Sequence, residues 1–301
     1  MRDAVDALFK NKIINEWNLF FIISIPICIL VIMQMMATDM SQGPGISHMI
    51  GYSVRFAIPI IFIVAAASSF QILFPSPFGR WWLRNRKYIG LCFAVAMAWQ
   101  GAFIFILSTF TRDYYFEEIY LLRDELEGTV GYIFLTGMII TSFAFGRKHV
   151  NSHQWKLIQK GGVYFLWSYA FSVYWWNVYY YPIHEPFPTP EVHDYIFYWM
   201  GFGAMALRIA AWGKKRLIKA GKQNPSSNVP IAYKGIGILF IILGLIASST
   251  AHLWIDAVNA FVTSPAWSAE MVLWLPFWPL EPFYSLLLLG LGTLFFTKAV
   301  K

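Results

Sequence analysis

Long, uninterrupted runs of apolar residues are the feature that most restricts how this chain can fold. Crossing the roughly 30 Å hydrocarbon core of a bilayer takes about 20 consecutive apolar residues in a helix. Eight segments approach or reach that length, at residues 19–37, 56–74, 88–110, 129–146, 162–181, 195–212, 235–253 and 280–297. The predicted fold class is therefore all-α: a polytopic membrane helical bundle with about eight transmembrane helices.

Composition and charge agree with a membrane protein. Hydrophobic residues make up 58% of the chain and charged residues 13%, whereas about a quarter of a water-soluble domain is charged. If the N-terminus lies inside, all but three of the 23 basic residues (Arg55, Arg112 and Arg123) fall on that side. Cytoplasmic loops are enriched in Lys and Arg, so both termini are predicted to be cytoplasmic. The net charge of +7 then reflects topology and contact with membrane lipids, and no nucleic-acid partner is predicted.

The composition of the loops suggests a division of the chain. Residues 1–18 form a cytoplasmic N-terminal lead, 19–212 a six-span body, 213–234 a basic cytoplasmic linker, and 235–301 a two-span C-terminal hairpin with a long outside loop. Gly43-Pro44-Gly45 predicts a turn outside the membrane before the second span. The other outside loops are acidic or aromatic, which makes them candidates for contact with a protein partner. For the long aromatic loop at residues 256–282, the alternative is that it lies on the membrane surface.

Histidines and carboxylates outside the predicted spans provide a candidate metal site. His184, Glu185, His193 and Asp194 belong to one proline-rich outside loop. Imidazole and carboxylate together suit several divalent ions, so these four residues are the metal candidate of the chain. His252 is the histidine that borders a predicted span, and an ionisable residue there is a functional candidate.

Residues 52–212 carry an ordered set of short features with a known parallel. They are Arg55-Phe56 at the second span, Arg84–Leu91 running into the third, Thr141-Ser142-Phe143 with a basic continuation, Trp155 ahead of Val163-Tyr164, and His184-Glu185-Pro186 outside. In this order they resemble the ferric reductase-like transmembrane domain family, in particular its haem-binding membrane subunits of bacterial methionine sulfoxide reductase. The resemblance implies a bundle in a bacterial inner membrane that holds haem b through histidine imidazoles.

The haem-ligand positions implied by the resemblance carry other residues here. They fall on Gln100, Gln159 and Ser172. Glutamine and serine are poor haem ligands, so we expect no bound haem b and interpret the three positions as vestigial. A quinone or a flavin is the alternative cofactor, with Arg147, Lys148 and Lys156 as candidate contacts for a flavin phosphate. His252 is the first candidate if a haem is ligated in another way.

Three classes of function follow from these features. The first is an accessory or structural subunit of a membrane complex, free of haem, which binds partners through its outer loops. The second is a membrane oxidoreductase that passes electrons through a quinone, a flavin or an atypically ligated haem. The third is a transporter, against which stand the scarcity of charges at mid-membrane and the lack of a detectable inverted repeat. No nucleophile, base and acid combine into a hydrolytic site.

Overall fold

A computed structural model describes residues 9–184, 189–223 and 229–298, without the side chains of residues 222 and 223. The described residues form helices and connecting turns and contain no β-strand. The all-α fold class predicted from the sequence is therefore confirmed.

Eleven α-helices among the described residues are labelled here in chain order, and short helical turns connect several of them. They are α1 (Glu16–Ala37), α2 (Gly43–Leu73), α3 (Pro77–Phe110), α4 (Leu122–Thr141), α5 (Ala144–Arg147), α6 (Ser152–Trp175), α7 (Val192–Gln223), α8 (Ile231–Ser249), α9 (Ala251–Thr263), α10 (Ser268–Trp274) and α11 (Tyr284–Phe296). Turns of 3₁₀-helix lie at Lys12–Ile14 and Glu281–Phe283, and π-helical turns at Tyr115–Ile119 and Trp176–Tyr180; single short α-turns lie at Arg112–Tyr114 and Tyr181–His184.

Four of these helices, α1, α2, α3 and α8, are long and apolar enough to cross a membrane. This finding is compatible with an integral membrane protein. The other four segments predicted from the sequence fall on α4, α6, α7 and α11. Of these, α11 is apolar but has only 13 residues.

The described residues divide into two compact units. The first comprises the chain as far as Ala67 together with Ser76–Trp167. The second comprises Ser68–Pro75 together with the chain from Ser168 onwards. These limits differ from the domain limits predicted from loop composition. In addition, α7 continues through residue 213 as far as Gln223, so helix occupies the first part of the predicted linker; residues 224–228 of that linker lie outside the described residues.

The first turn of α2 corrects one expectation. The Gly43-Pro44-Gly45 sequence was expected to form a turn ahead of the second span, but α2 begins at Gly43 itself. Proline is tolerated in the first helical turn, because the amide hydrogen that it lacks has no intrahelical acceptor there. Gly43 is also required by packing, since a Cβ at this position would overlap the Tyr114 ring.

In the first unit, α2 is the most buried of the four long apolar helices. Of its most apolar window, 56% is buried, against 22% for α1 and 28% for α3. Small side chains at Ala65, Ala66 and Ala67 allow neighbouring helices to approach this helix closely. Helix α2 is thus a central packing element, whereas α1 and α3 expose apolar side chains as lipid-facing helices do.

The segment before α1 is attached to the start of α3. The fully buried Asn85 accepts a hydrogen bond from the Glu16 amide (2.8 Å) and donates one to Asn15 Oδ1 (2.9 Å). Trp81 Nε1 donates to the Ile14 carbonyl at 2.8 Å. Residues 11–16 of the predicted N-terminal lead are therefore packed against the first unit.

In the second unit, α8 and α11 pack with their backbones in close contact. A Cβ at Gly237 would lie 2.6 Å from the Phe296 amide nitrogen, and one at Gly292 would lie 2.7 Å from the Gly237 carbonyl oxygen. Gly244 makes a similar approach to Ser285 and Leu289. Small residues at a helix interface permit such contact, which replaces the hydrophobic effect as the main attraction between helices in lipid.

Candidate functional site

The first predicted haem-ligand position, Gln100, lies on α3 and contacts α4. The Tyr132 hydroxyl lies 3.1 Å from Gln100 Oε1 and 3.0 Å from the Met97 carbonyl oxygen. Tyr132 also packs against Gly101, where a Cβ would be 3.2 Å from the hydroxyl oxygen. The side-chain oxygen of Gln100 therefore participates in a contact between two helices.

The second predicted position, Gln159, lies on α6 and contacts the other end of α4. Its Nε2 is 3.0 Å from the Met138 carbonyl oxygen, 3.1 Å from Thr141 Oγ1 and 3.3 Å from Ser142 Oγ. Carbonyl groups in the last turn of a helix lack intrahelical partners. The Met138 carbonyl also accepts from Ser142 Oγ at 2.6 Å, so Gln159 adds a second donor at the C-terminal end of α4. One turn earlier in α6, Trp155 Nε1 donates to the Thr141 carbonyl at 3.1 Å.

Ser172 and His252 both belong to the second unit, whereas the two glutamines belong to the first. Ser172 is 1% exposed, and its hydroxyl donates to the Tyr169 carbonyl 2.9 Å away in the same helix. His252 is exposed at the start of α9, after the end of α8 at Ser249.

The contacts of Gln100, Gln159 and Ser172 do not fit axial ligation of haem b. Haem b in a helical bundle is held by imidazole nitrogens, whereas Gln100 Oε1, Gln159 Nε2 and Ser172 Oγ each hydrogen-bond to a protein group. Both glutamines hydrogen-bond to α4, one from α3 and one from α6. In this structure they join three helices of the first unit, and no electron-transfer step is assigned to them.

The predicted metal-site residues form two separate contacts. His184 Nε2 lies 3.1 Å from Asp256 Oδ1, and the His184 ring packs on Tyr180 with 4.5 Å between ring centroids. His193 lies 3.1 Å from Glu191 Oε2 through Nδ1, and 3.5 Å from Asp194 Oδ1 through Nε2.

Asp194 has a structural role at the start of α7. It is 7% exposed, and its carboxylate accepts hydrogen bonds from the Glu191 amide (2.8 Å) and from Asn177 Nδ2 (3.2 Å). Glu185, the fourth predicted ligand, lies outside the described residues. Within the part of the chain that the structure describes, no group of three or more His, Cys, Asp and Glu side chains is arranged to hold a metal ion.

A cavity of about 520 Å³ lies between the helices of the first unit. Cavities that bind small molecules in proteins have volumes of roughly 300–1,000 Å³. Apolar side chains of α2, α3, α4 and α6 form most of its wall, including Val64, Leu91, Leu135, Ile139 and Val163. Gln159 is part of the wall, whereas Gln100 is not.

Cationic side chains border this cavity where α3 begins and where α5 ends. They are Arg84, Arg86, Lys87 and Arg147. Lys87 Nζ lies 4.6 Å from the centroid of the Phe143 ring, and Arg147 Cζ lies 5.4 Å from that of the Trp155 ring. The cavity therefore combines an apolar wall with a cationic border, which we call the basic mouth (Arg84, Arg86, Lys87 and Arg147).

Sequence reasoning attributed Arg84, Arg86 and Lys87 to membrane topology and considered Arg147 as a contact for a flavin phosphate, but it did not predict that the four cations border a common cavity. One feature of the sequence nevertheless indicates that these cations could lie close together. The loops at residues 75–87 and 147–160 are both basic, and the predicted topology assigns them to the same side of the membrane. Nothing in the sequence, however, indicates that α3 and α5 meet.

Comparison with known proteins adds no assignment. No protein-family model, no curated protein and no solved structure matches this chain.

Proposed function

We propose that this chain is an accessory subunit of a membrane complex, free of haem and resembling the ferric reductase-like family, which binds a protein partner at its outer face. The proposal includes eight spans in a bacterial inner membrane, with both termini in the cytoplasm. The asymmetry of basic residues supports this orientation. Each predicted span overlaps a different one of the helices α1, α2, α3, α4, α6, α7, α8 and α11, which supports the number of spans.

The observation that carries the proposal is an apolar surface on α9 and α10. The exposed fractions are 80% for Phe261, 58% for Leu273 and 78% for Trp274. With 13 and 7 residues, α9 and α10 are too short to cross a bilayer. Large exposed apolar side chains outside the spans are typical of protein–protein contact surfaces, where aromatic residues are enriched.

The hydrogen bonds of Gln100 and Gln159 support the part of the proposal in which the chain binds no haem. Gln100 and Gln159 hydrogen-bond to α4 in place of acting as ligands. A helical bundle that has exchanged its ligand histidines for interhelical hydrogen bonds keeps its packing without the cofactor. Such a bundle is suited to a structural role in a complex.

One observation favours the second class, a membrane oxidoreductase that uses a quinone or a flavin. The cavity of the first unit is largely apolar and has Gln159, Thr141 and Trp155 in its wall. Apolar walls with a few polar groups are typical of cofactor sites. A chain that purified as a monomer with a bound quinone or flavin would favour this class over the accessory subunit.

The test of the proposed function is native mass spectrometry of the chain purified from its own membranes in mild detergent. We expect one heteromeric complex of fixed stoichiometry. The double variant Phe261→Ser with Trp274→Ser should release the partner, because it removes the two most exposed aromatic side chains of the α9–α10 surface. Ile218→Ser is the matched control, since Ile218 is 50% exposed on the part of α7 that the proposal places in the cytoplasm. A wild-type chain that is always monomeric would contradict the proposal.

A further inference from the structure

The cavity of the first unit has a feature that the accessory role does not explain, namely a basic mouth on an apolar wall. We propose that this cavity binds a single amphiphile that carries a phosphate group on an apolar chain. The phosphate would lie at Lys87 and Arg147, and the chain would lie against Val64, Leu91 and Leu135.

The charge of the basic mouth is the first step of the argument. In the structure the contacts of Lys87 are with aromatic rings, Tyr88 and Phe143. Those of Arg147 are with the Trp155 ring, the Val150 carbonyl oxygen (2.6 Å) and Ser152 Oγ (3.4 Å). These partners orient the two cations without neutralising them.

The cavity wall offers no counter-charge either. Among the described residues that line it, there is no aspartate and no glutamate. Arg84 adds to the positive charge, and its hydrogen bonds go to neutral oxygens, the Phe9 carbonyl (2.8 Å) and Asn15 Oδ1 (2.9 Å). An anion at the mouth would therefore meet three positive side chains whose described partners are neutral groups.

The chemistry of the cations favours a phosphate as that anion. A guanidinium group matches phosphate oxygens with two parallel hydrogen bonds, and a lysine ammonium adds a compact positive charge. The neutral head of a quinone would leave these cations without a counter-charge. A quinone would therefore fit the apolar wall of the cavity but not its basic mouth.

The apolar wall in turn requires a chain. Burying an aliphatic chain against Val64, Leu91 and Leu135 removes apolar surface from water, which is favourable in proportion to the area buried. Inorganic phosphate or a soluble nucleotide would leave that wall without an apolar partner. A phosphate carried on a lipid or isoprenoid chain satisfies both parts of the cavity.

Gly90 supplies a way to fill the cavity without disturbing its mouth. It lies in the cavity wall on α3, and a Cβ there would meet only Val64 Cγ2, at 4.0 Å. Gly90→Leu should therefore place a side chain in the space proposed for the amphiphile chain. Gly51→Leu is the matched control, because Gly51 is exposed on α2 of the same unit with no atom within 4 Å of its added Cβ.

The experiment measures the unfolding temperature and the ligand adducts of the full-length protein in dodecyl maltoside, a neutral detergent without a phosphate group. Three probes are compared: farnesyl phosphate, farnesol and inorganic phosphate. We expect farnesyl phosphate to form a 1:1 adduct and to raise the unfolding temperature, and the other two to do neither. An equal effect of farnesol would contradict the proposed role of the phosphate group. An equal effect of inorganic phosphate would contradict the proposed role of the ligand's apolar chain.

Variants locate the site. Lys87→Gln with Arg147→Gln should weaken farnesyl phosphate binding about tenfold or more, because charge-assisted hydrogen bonds are lost. Lys148→Gln should leave binding unchanged, since Lys148 is an exposed neighbouring cation that does not line the cavity. Gly90→Leu should abolish binding and Gly51→Leu should not.

A loss of binding in Lys148→Gln as large as in the double variant would show general charge attraction and would overturn the site. Gly90→Leu keeps the test independent of any structural role of Arg147. Decyl-ubiquinone and flavin mononucleotide serve as competitors. Tighter binding of either would overturn the proposal in favour of the oxidoreductase class, whereas the partner measurement decides the accessory role separately.

Discussion

Gln100 and Gln159 show how one residue type in an apolar helix serves a structural purpose. Each places its amide against α4, and Gln159 has three polar atoms of the α4 end within 3.3 Å of its Nε2. In a membrane, a glutamine side chain that hydrogen-bonds to a neighbouring helix leaves fewer polar groups unsatisfied and also links the two helices. Such bonds contribute about 0.6 kcal/mol on average and up to about 1.7 kcal/mol.

Replacing either glutamine by leucine should therefore lower the free energy of unfolding, and the loss should be larger for Gln159 than for Gln100. Gln159→Leu removes one of the donors at the end of α4, the one with three polar partners, and should lower the free energy of unfolding by about 1–2 kcal/mol. Gln100→Leu removes one acceptor and should cost about 0.6 kcal/mol. Thermal unfolding in detergent or equilibrium unfolding in mixed micelles measures both. A larger loss in Gln100→Leu than in Gln159→Leu would contradict this assignment of roles.

Tyr115, in the loop between α3 and α4, gives a prediction that depends on pH. It is 9% exposed, and its hydroxyl donates to Glu125 Oε2 at 2.7 Å. Burial, together with this carboxylate, raises the pKa of Tyr115 from 10.0 to about 12. Folding thus favours the protonated phenol. The resulting stability is fully present below pH 10 and is lost as the pH rises from 10 towards about 12.

Tyr115→Phe should accordingly lower the unfolding temperature by about 2–4 °C at pH 8, as expected for roughly 1 kcal/mol. The difference from the wild type should shrink above pH 10, where the wild type loses its own contribution. Tyr120→Phe is the control, because the Tyr120 ring packs on Tyr115 while its hydroxyl makes no hydrogen bond within the described residues. A difference that is constant with pH would exclude the hydrogen bond as its source.

At the scale of helices, the pairing of α8 with α11 depends on three glycines at which the two backbones meet. The sequence places Gly237 and Gly244 seven residues apart on α8, and Gly292 lies opposite them on α11. Their spacing is visible in the sequence, but other glycines on the same helices are equally visible. Only the structure distinguishes the glycines at the contact from those in open space.

Gly237→Ala and Gly292→Ala should each lower the free energy of unfolding by about 1–3 kcal/mol, since an added methyl group would overlap the facing backbone. Gly235→Ala and Gly290→Ala are matched controls on the same two helices, with nothing within 4 Å of the added Cβ. In these controls the higher helix propensity of alanine should leave stability unchanged or raise it by up to about 1 kcal/mol. Equal losses at all four positions would contradict the close pairing.

The number of spans is a property of the whole molecule and can be tested by labelling. Single cysteines at Asn151, Gly221 and Glu270 distinguish the two possibilities when an impermeant maleimide is added to intact cells. With eight spans and an internal N-terminus, only the cysteine at 270 is labelled from outside. If only α1, α2, α3 and α8 crossed, those at 151 and 221 would be labelled and that at 270 would not.

A labelled cysteine at position 113 checks the orientation in the same experiment, because Asp113 follows α3 and is external in both arrangements with an internal N-terminus. Cells permeabilised before labelling provide the accessibility control for each position. Labelling of 151 and 221 but not of 270 would contradict the eight-span topology on which the proposed outer surface depends.

For the molecule as a whole, the sequence by itself determined the fold class and where the long helices lie. A long apolar run in lipid can satisfy its backbone groups only as a helix, and the four helices long and apolar enough to cross a membrane each contain a run that is visible in the sequence. The tertiary structure decided what the side chains do. That Gln100 and Gln159 both bond to α4, that Gly237 and not Gly235 lies at a helix contact, and that Lys87 and Arg147 border one cavity depend on which helices are neighbours. Periodicity and charge carry no information about that choice, because in lipid helix pairing follows close packing and individual hydrogen bonds.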